Sequence, residues 1–344
     1  MYWHAHEMLF GFVTAAISGF FLTAAPGWTG RAAGSAASTI PLALLWLAGR
    51  IAMAPFIAIP LRIASFVDLS FLPALVLTLA LSLIRARKYQ SLSLIWPLGA
   101  IFLANILFHL GMHGALAGGE YIGLTVSIDV VTILLVIIGG RLIPAFTRSG
   151  LNGRDIAAIL QSTKWVDAAA IGSVVAVLVI DISEPLSNTS GAVALLGGLA
   201  QALRIIRWLG RSGARNPMIS IFHIAYAWVI VGLLLKGVWL LTATSFADKW
   251  IHALTVGAFG TMILAVMART SPGLIVHGPN VSRKMALSYG FITAAAAIRV
   301  FAPSLLPGAY NTIVALSGMC WIAAFGIFLG TCMLVTAGSR ARMR

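Results

Sequence analysis

Apolar runs long enough to cross a bilayer follow one another from residue 8 to residue 337, with only short gaps between them. Hydrocarbon offers no partner to a backbone N–H or C=O, so a segment that crosses it is a helix of roughly 20 apolar residues or a strand of a closed barrel. A barrel strand would alternate apolar and polar side chains over about 10 residues. These runs are too long and too uniformly apolar for that. Only 9% of the 344 residues are charged, against about a quarter in an ordinary soluble domain. Eleven spans are predicted, near 8–25, 39–58, 63–84, 92–116, 121–146, 165–183, 188–210, 218–243, 247–269, 285–302 and 308–337. The predicted fold is an all-α polytopic transmembrane helical bundle, a single transmembrane domain over 1–344. The gaps hold no soluble domain, no internal repeat is convincing, and no basic n-region or cleavage site marks a signal peptide.

The formal net charge of +14 would suit a nucleic-acid binder if it were clustered, but it is spread in alternation. Basic residues follow the odd-numbered spans: Arg31; Arg85, Arg87 and Lys88; Arg141, Arg148, Arg154 and Lys164; Arg204, Arg207, Arg211 and Arg215; Arg269, Arg283 and Lys284; Arg340, Arg342 and Arg344. The other loops offer only Arg62 and Lys249, beside Glu120, Asp181, Glu184 and Asp248. This is the positive-inside pattern of a multi-pass membrane protein, with the C-terminus in the cytoplasm and the N-terminus outside. The charge therefore meets anionic lipid, and nucleic acid is excluded as a partner. With the N-terminus outside, either the chain inserts in that sense unaided or, as is expected here, a further span precedes residue 1.

With this orientation, five of the seven histidines collect towards the outer face: His4, His6, His109, His113 and His252. His4 and His6 stand beside Glu7 in the opening stretch YWHAHEMLFGF. Being two apart, they point in different directions on a helix and converge only if the chain is irregular there. His109 and His113, four apart, share one helix face. His223 lies one turn into span 8, and His277 falls in the loop after span 9. Imidazole is the commonest metal ligand and suits copper, iron and zinc. His4, His6, His109 and His252 are the candidate metal ligands, with Glu7 placed to hold an imidazole tautomer or to favour the helix dipole. The two cysteines, Cys320 and Cys332, are twelve apart on one span, about 18 Å along a helix, and are read as unbridged core thiols.

Charges inside spans are costly and usually functional. Asp68, Asp129, Lys236 and Arg299 map to the outer third of their helices, and Arg50 to mid-depth in span 2. Two readings stay open: internal pairing, such as Lys236 with Asp129, or Lys236 and Arg299 holding the anionic groups of a cofactor. Gly139 and Gly140, and Gly257 and Gly260, permit close helix approach. Trp3, Trp165, Trp208 and Trp250 fall at predicted boundaries and read as interfacial anchors. Pro144 is expected to end or kink span 5.

YWHAHEMLFGF, followed by GFFLTAAPGWTGR at 19–31, resembles the opening of the NnrS family of bacterial membrane proteins. LALLWLAGRIA (42–52), GGRLIPAFTR (139–148), FHIAYAWVIVG (222–232) and HALTVGAFGTMILAVMAR (252–269) carry the resemblance across nearly the whole chain. It implies twelve spans, the first before the WHAHEM block. It further implies haem and copper as cofactors, and a part in the response to nitric oxide and nitrosative stress. The residues it singles out are His4, His6, Glu7, His109, His223 and His252, with the anionic groups near Lys236 and Arg299 becoming haem propionates and Asp129 a supporting carboxylate. His252 and His109 would be axial or copper ligands, with His4 and His6 at a second metal. Where the family tends to carry a histidine stretch of the LGHTGR kind, this chain reads TSPGLIVHGPNVSRK, with His277 displaced. A transporter of a small solute or metal complex and a non-catalytic haem sensor or assembly protein are the alternatives, so catalysis stays open. No adjacent histidine pair occurs in the chain, which argues against a terminal oxidase or nitric oxide reductase subunit.

Overall fold

A computed structural model describes residues 2–30, 36–149, 164–208, 216–271 and 283–342. Arg31, Arg154, Arg211, Arg215, His277 and Arg344 lie outside the described residues. Among those described there is no strand, and eleven helices account for the eleven predicted runs. They are α1 (Tyr2–Thr29), α2 (Ala36–Ala52), α3 (Leu61–Arg85), α4 (Tyr89–Met112), α5 (Gly119–Ser149) and α6 (Lys164–Ser183). After these come α7 (Asn188–Ile206), α8 (Pro217–Thr242), α9 (Ser245–Thr270), α10 (Arg283–Leu305) and α11 (Tyr310–Arg342). All but α2 are long and apolar enough to cross a membrane. The chain is a multi-pass membrane protein.

Several helix ends depart from the sequence reading, three of them in ways that matter for the site or for a proline. α1 begins at Tyr2 and is π-wound over Glu7–Val13, so the histidine stretch is helix and not a lead-in. α2 stops at Ala52, because Pro55 has no N–H to continue the ladder and disfavours a helical residue before it; the chain from Met53 to Pro60 is not helical. α5 runs through Pro144 to Ser149, where the expectation was an end or a kink. Isolated Ser and Thr side chains inside the spans return their hydroxyls to the carbonyl four residues back, as Ser82 does to Thr78 O at 2.8 Å and Thr293 to Tyr289 O at 2.8 Å, which satisfies them without a neighbour.

The chain divides into two units, Met1–Val131 and Thr132–Arg344. In the first, α3 packs against α1, α2 and α4 around Phe10, Phe21, Leu72, Leu75, Leu79, Leu98, Ile101 and Phe108. Gly123 on α5 lets two backbones touch: a Cβ there would stand 2.6 Å from Phe108 N and still closer to Ala104 O. Replacing Gly123 by alanine is therefore expected to push α4 away and cost about 1–3 kcal/mol, read as a lowered unfolding midpoint in detergent; an unchanged midpoint contradicts the packing. In the second unit α8 packs on α7 and α9, and α10 on α9 and α11. Gly237 on α8 and Gly191 on α7 bring those backbones together, a Cβ on the first lying 2.7 Å from Gly191 O. Gly139 and Gly257, read as helix-approach positions, instead make room for aromatic rings, Tyr226 and Trp228. Exposed side chains are apolar along the outer faces, including Phe66, Leu77, Ile322 and Met333, as lipid-facing surfaces are.

A candidate metal centre in the first unit

His6 is the hinge of the site. It sits where α1 passes from ordinary helix into the π-wound stretch, and it is fully buried; π-bulges recur at functional sites. Its neighbour His4, two residues earlier on regular helix, is exposed, as side chains two apart on a helix must diverge. α4 supplies Asn105 and His109, four apart on one face and both buried. α3 supplies Asp68, 4% exposed, and the end of α2 supplies Arg50. One carboxylate ties these together. Asp68 Oδ2 accepts from Asn105 Nδ2 at 2.8 Å and from His109 Nε2 at 2.9 Å, and lies 3.2 Å from His6 Nε2. Asp68 Oδ1 accepts from Arg50 Nη2. Arg50 Nη1 also donates to Glu7 Oε1 at 2.6 Å, and His6 Nδ1 donates to the same oxygen at 3.2 Å.

Hydrogen-bond roles fix what the site lacks. A carboxylate only accepts, and His6 faces one with each ring nitrogen, Glu7 at Nδ1 and Asp68 at Nε2, both at 3.2 Å. A neutral imidazole protonates only one nitrogen, so the other is left as a lone pair against a carboxylate. Nε2 also lies 3.2 Å from Asn105 Oδ1, and a shared positive species, a proton or a metal ion, relieves this crowding of acceptors at low dielectric. Formal charge agrees: Arg50 against Glu7 and Asp68 leaves one negative charge uncompensated when both imidazoles are neutral. His6, Asp68 and His109 each offer a ligand atom, and these atoms all lie within 4.8 Å of one another. Ligands at about 2.1 Å from an ion stand roughly 3.0–3.4 Å apart, close to the 2.9 Å and 3.2 Å edges at Asp68. Two imidazoles and a carboxylate suit copper, iron or zinc rather than the all-oxygen ions calcium and magnesium. Glu7 on the far nitrogen of His6 completes the carboxylate–histidine arrangement that orients metal-bound imidazoles. Nδ1 of His109 is buried with no hydrogen-bond partner among the described residues.

His113, at the end of α4, accepts or donates at Ser65 Oγ, 3.1 Å away. Asp129 is buried in α5, 4% exposed. The sequence pointed at His6, Glu7 and His109; it noted Asp68 and Arg50 only as intramembrane charges, and it missed Asn105. The signal for Asn105 was its spacing, since Asn105, His109 and His113 form a stripe at i, i+4 and i+8 on α4.

The second unit holds the remaining candidates. His223 on α8 is 9% exposed; its Nδ1 donates to Ile219 O at 3.0 Å, which leaves Nε2 a buried lone pair with no hydrogen-bond partner among the described residues. Lys236 pairs with Asp181 of α6, which also accepts from Ser190 Oγ of α7, and its ammonium lies 4.9 Å over the Trp250 ring. Asp181 and Arg204 both read as loop residues from sequence; both are buried in helices. Arg204 donates to Asp167 Oδ1 at 2.7 Å, to Val136 O at 2.8 Å and to Tyr226 Oη at 3.2 Å, with Trp208 stacked 5.0 Å from its guanidinium. These cations explain why Trp208 and Trp250 are buried and not the interfacial anchors expected, a role only the exposed Trp3 and Trp165 match. His252 stands just ahead of the second π-wound stretch, Ala253–Gly260, and its Nε2 accepts from Arg299 Nη2 at 3.0 Å. Cys320 and Cys332 are unbridged.

The implied copper fits the donor chemistry at His6, Asp68 and His109, and an implied haem finds a bare, buried imidazole nitrogen at His223. No curated protein and no solved structure matches the chain. The family profile described as NnrS protein matches residues 1–340, essentially its whole length. The chain belongs to the NnrS family.

Proposed function

We propose that this protein is a haem- and copper-binding protein of the bacterial inner membrane that acts in protection against nitric oxide and nitrosative stress. The observation that carries the reading is the convergence of His6 and His109 on the Asp68 carboxylate, in a buried pocket one positive charge short when both imidazoles are neutral. In this reading copper is held by His6, Asp68 and His109, and haem by His223. Reduced copper and haem iron supply strong binding of nitric oxide, an apolar gas that partitions into the bilayer where both sites lie. The chain's own contribution is positional. Glu7 fixes the His6 tautomer, Arg50 ties Glu7 to Asp68, and Asn105 holds the Asp68 oxygen that faces both imidazoles.

The purified protein is expected to contain copper and to show a Soret band. His6→Ala and His109→Ala are each expected to lose copper with the Soret band kept, and His223→Ala to lose the Soret band with copper kept. Outer-ligand changes usually cost about 10–100-fold in metal affinity, so Glu7→Gln is expected to retain copper only at higher copper concentrations. A wild-type protein with neither metal nor Soret band would remove this reading. It would favour the transporter alternative, which gains from the buried pairs Lys236–Asp181 and Arg204–Asp167.

A further inference from the structure

Known helix boundaries bring out matches between helices that were not convincing in the bare sequence. α1 and α5 carry Pro-x-aromatic-Thr at or near their ends, Pro26-Gly27-Trp28-Thr29 and Pro144-Ala145-Phe146-Thr147. α4 and α8 carry Pro-x-x-x-Ile-Phe in their first halves, at Pro97–Phe102 and Pro217–Phe222. α5 and α9 share Leu-Thr-Val followed by Ile-Leu-x-Val at the same distance: Leu124-Thr125-Val126 with Ile133-Leu134 and Val136, and Leu254-Thr255-Val256 with Ile263-Leu264 and Val266. Near the ends of α2, α6 and α10 stands one charged residue, then a β-branched one, then a proline four or five positions on: Arg50 with Pro55, Asp181 with Pro185, Arg299 with Pro303. Every correspondence is four helices apart. In this register the helices fall into sets of four, and the second helix of each set carries a charge near the end opposite the basic loops.

In each set that charge is linked to the helices around it, and in two of the three it is neutralised. Arg50 pairs with Glu7 and Asp68. Asp181 pairs with Lys236. Arg299 donates to His252 Nε2 at 3.0 Å and to Tyr310 Oη at 3.4 Å, with the Tyr310 ring 5.6 Å from its guanidinium. Neither is a carboxylate, and among the described residues Arg299 has no carboxylate partner. Nothing on α11 replaces Asp68: its opening turn presents Tyr310, Asn311 and Thr312. A guanidinium always carries its charge, and that of Arg299 stands near the end of α10, partly exposed and with no counter-ion among the described residues. Its planar fork matches two oxygens on one centre.

We propose that Arg299, flanked by His252 and Tyr310, is a binding site for an anion that presents two oxygens to the guanidinium, the shared chemistry of carboxylates and phosphates. His252 holds one Nη group in place by accepting its hydrogen, and Tyr310 carries the hydroxyl and ring that aim the rest. The ligand comes either from solution or from an anionic lipid headgroup.

The test uses the full chain purified in detergent, with the unfolding midpoint read against sodium acetate and inorganic phosphate at ionic strength matched with chloride. A second arm compares phosphatidylglycerol with phosphatidylcholine. The expected result is saturable stabilisation of the wild type by at least one probe: by acetate or phosphate for a soluble anion, by phosphatidylglycerol alone for a headgroup. Arg299→Gln is expected to raise the apparent Kd at least about tenfold, as loss of a charged hydrogen-bonded pair does, and Tyr310→Phe by a smaller factor. If Arg299→Gln does not fold, Arg299→Lys, which keeps the charge and loses the fork, takes its place with the same expected weakening. Absence of saturable stabilisation of the wild type by every probe, or equal stabilisation of wild type and Arg299 variants, overturns the proposal.

Discussion

Asp68→Ala is expected to empty the first-unit centre of metal and to destabilise the protein by about 3 kcal/mol. The loss of metal follows from the ligand count, because among the described residues the carboxylate is the only anion that faces both imidazoles. Removing one partner of a buried ion pair costs about 3–5 kcal/mol, and the lower end applies because Arg50 keeps Glu7 as a second partner and its side chain is 14% exposed. Asp68→Asn separates the two effects. It keeps the volume and an acceptor for His109, so about 1–2 kcal/mol is expected, but it removes the negative charge that a cation needs. Metal analysis and the unfolding midpoint, read on the same samples, check both. Retention of full metal by Asp68→Asn would mean that the positive species at His6 is a proton.

How much of this was legible before the structure follows from what each residue depends on. Span positions depend on apolar length alone, and ten of the eleven runs are full spans; the exception, α2, is short because Pro55 intervenes. His6 was legible as a candidate because a histidine beside a glutamate at a span entrance is unusual, and its divergence from His4 follows from helix geometry. The partnership with Asp68 was not legible, since it depends on the rotation of α3 against α1 and α4, and hydropathy carries no rotational phase in a helix that is apolar all round. Loop edges failed for a related reason. Asp181 and Arg204 look like the polar ends of spans, yet each is drawn inward by a partner on another helix, Lys236 and Asp167. The matches between helices four apart were not legible because their motifs are short and align only once helix ends fix their register.

The second large effect belongs to the pair of Lys236 and Asp181. Both side chains are nearly inaccessible, at 2% and 4% exposure, so neither charge is left to water when its partner goes. Lys236→Met and Asp181→Leu made singly are each expected to cost about 3–5 kcal/mol, because each strands a buried charge. Asp181→Leu carries an additional loss, the hydroxyl of Ser190, whose proton then has no carboxylate to meet. The double variant is expected to recover most of the loss, as replacing a buried ion pair by apolar side chains of similar volume is often neutral. The two single effects should therefore fail to add by more than about 2 kcal/mol, a coupling that a double-mutant cycle on unfolding midpoints resolves. Additive losses would show that the residues act through separate partners: Lys236 through the Trp250 ring, which stands 4.9 Å from its ammonium, and Asp181 through Ser190. The desolvation argument then fails for this pair, and the charge in the second set is held by its neighbours one at a time.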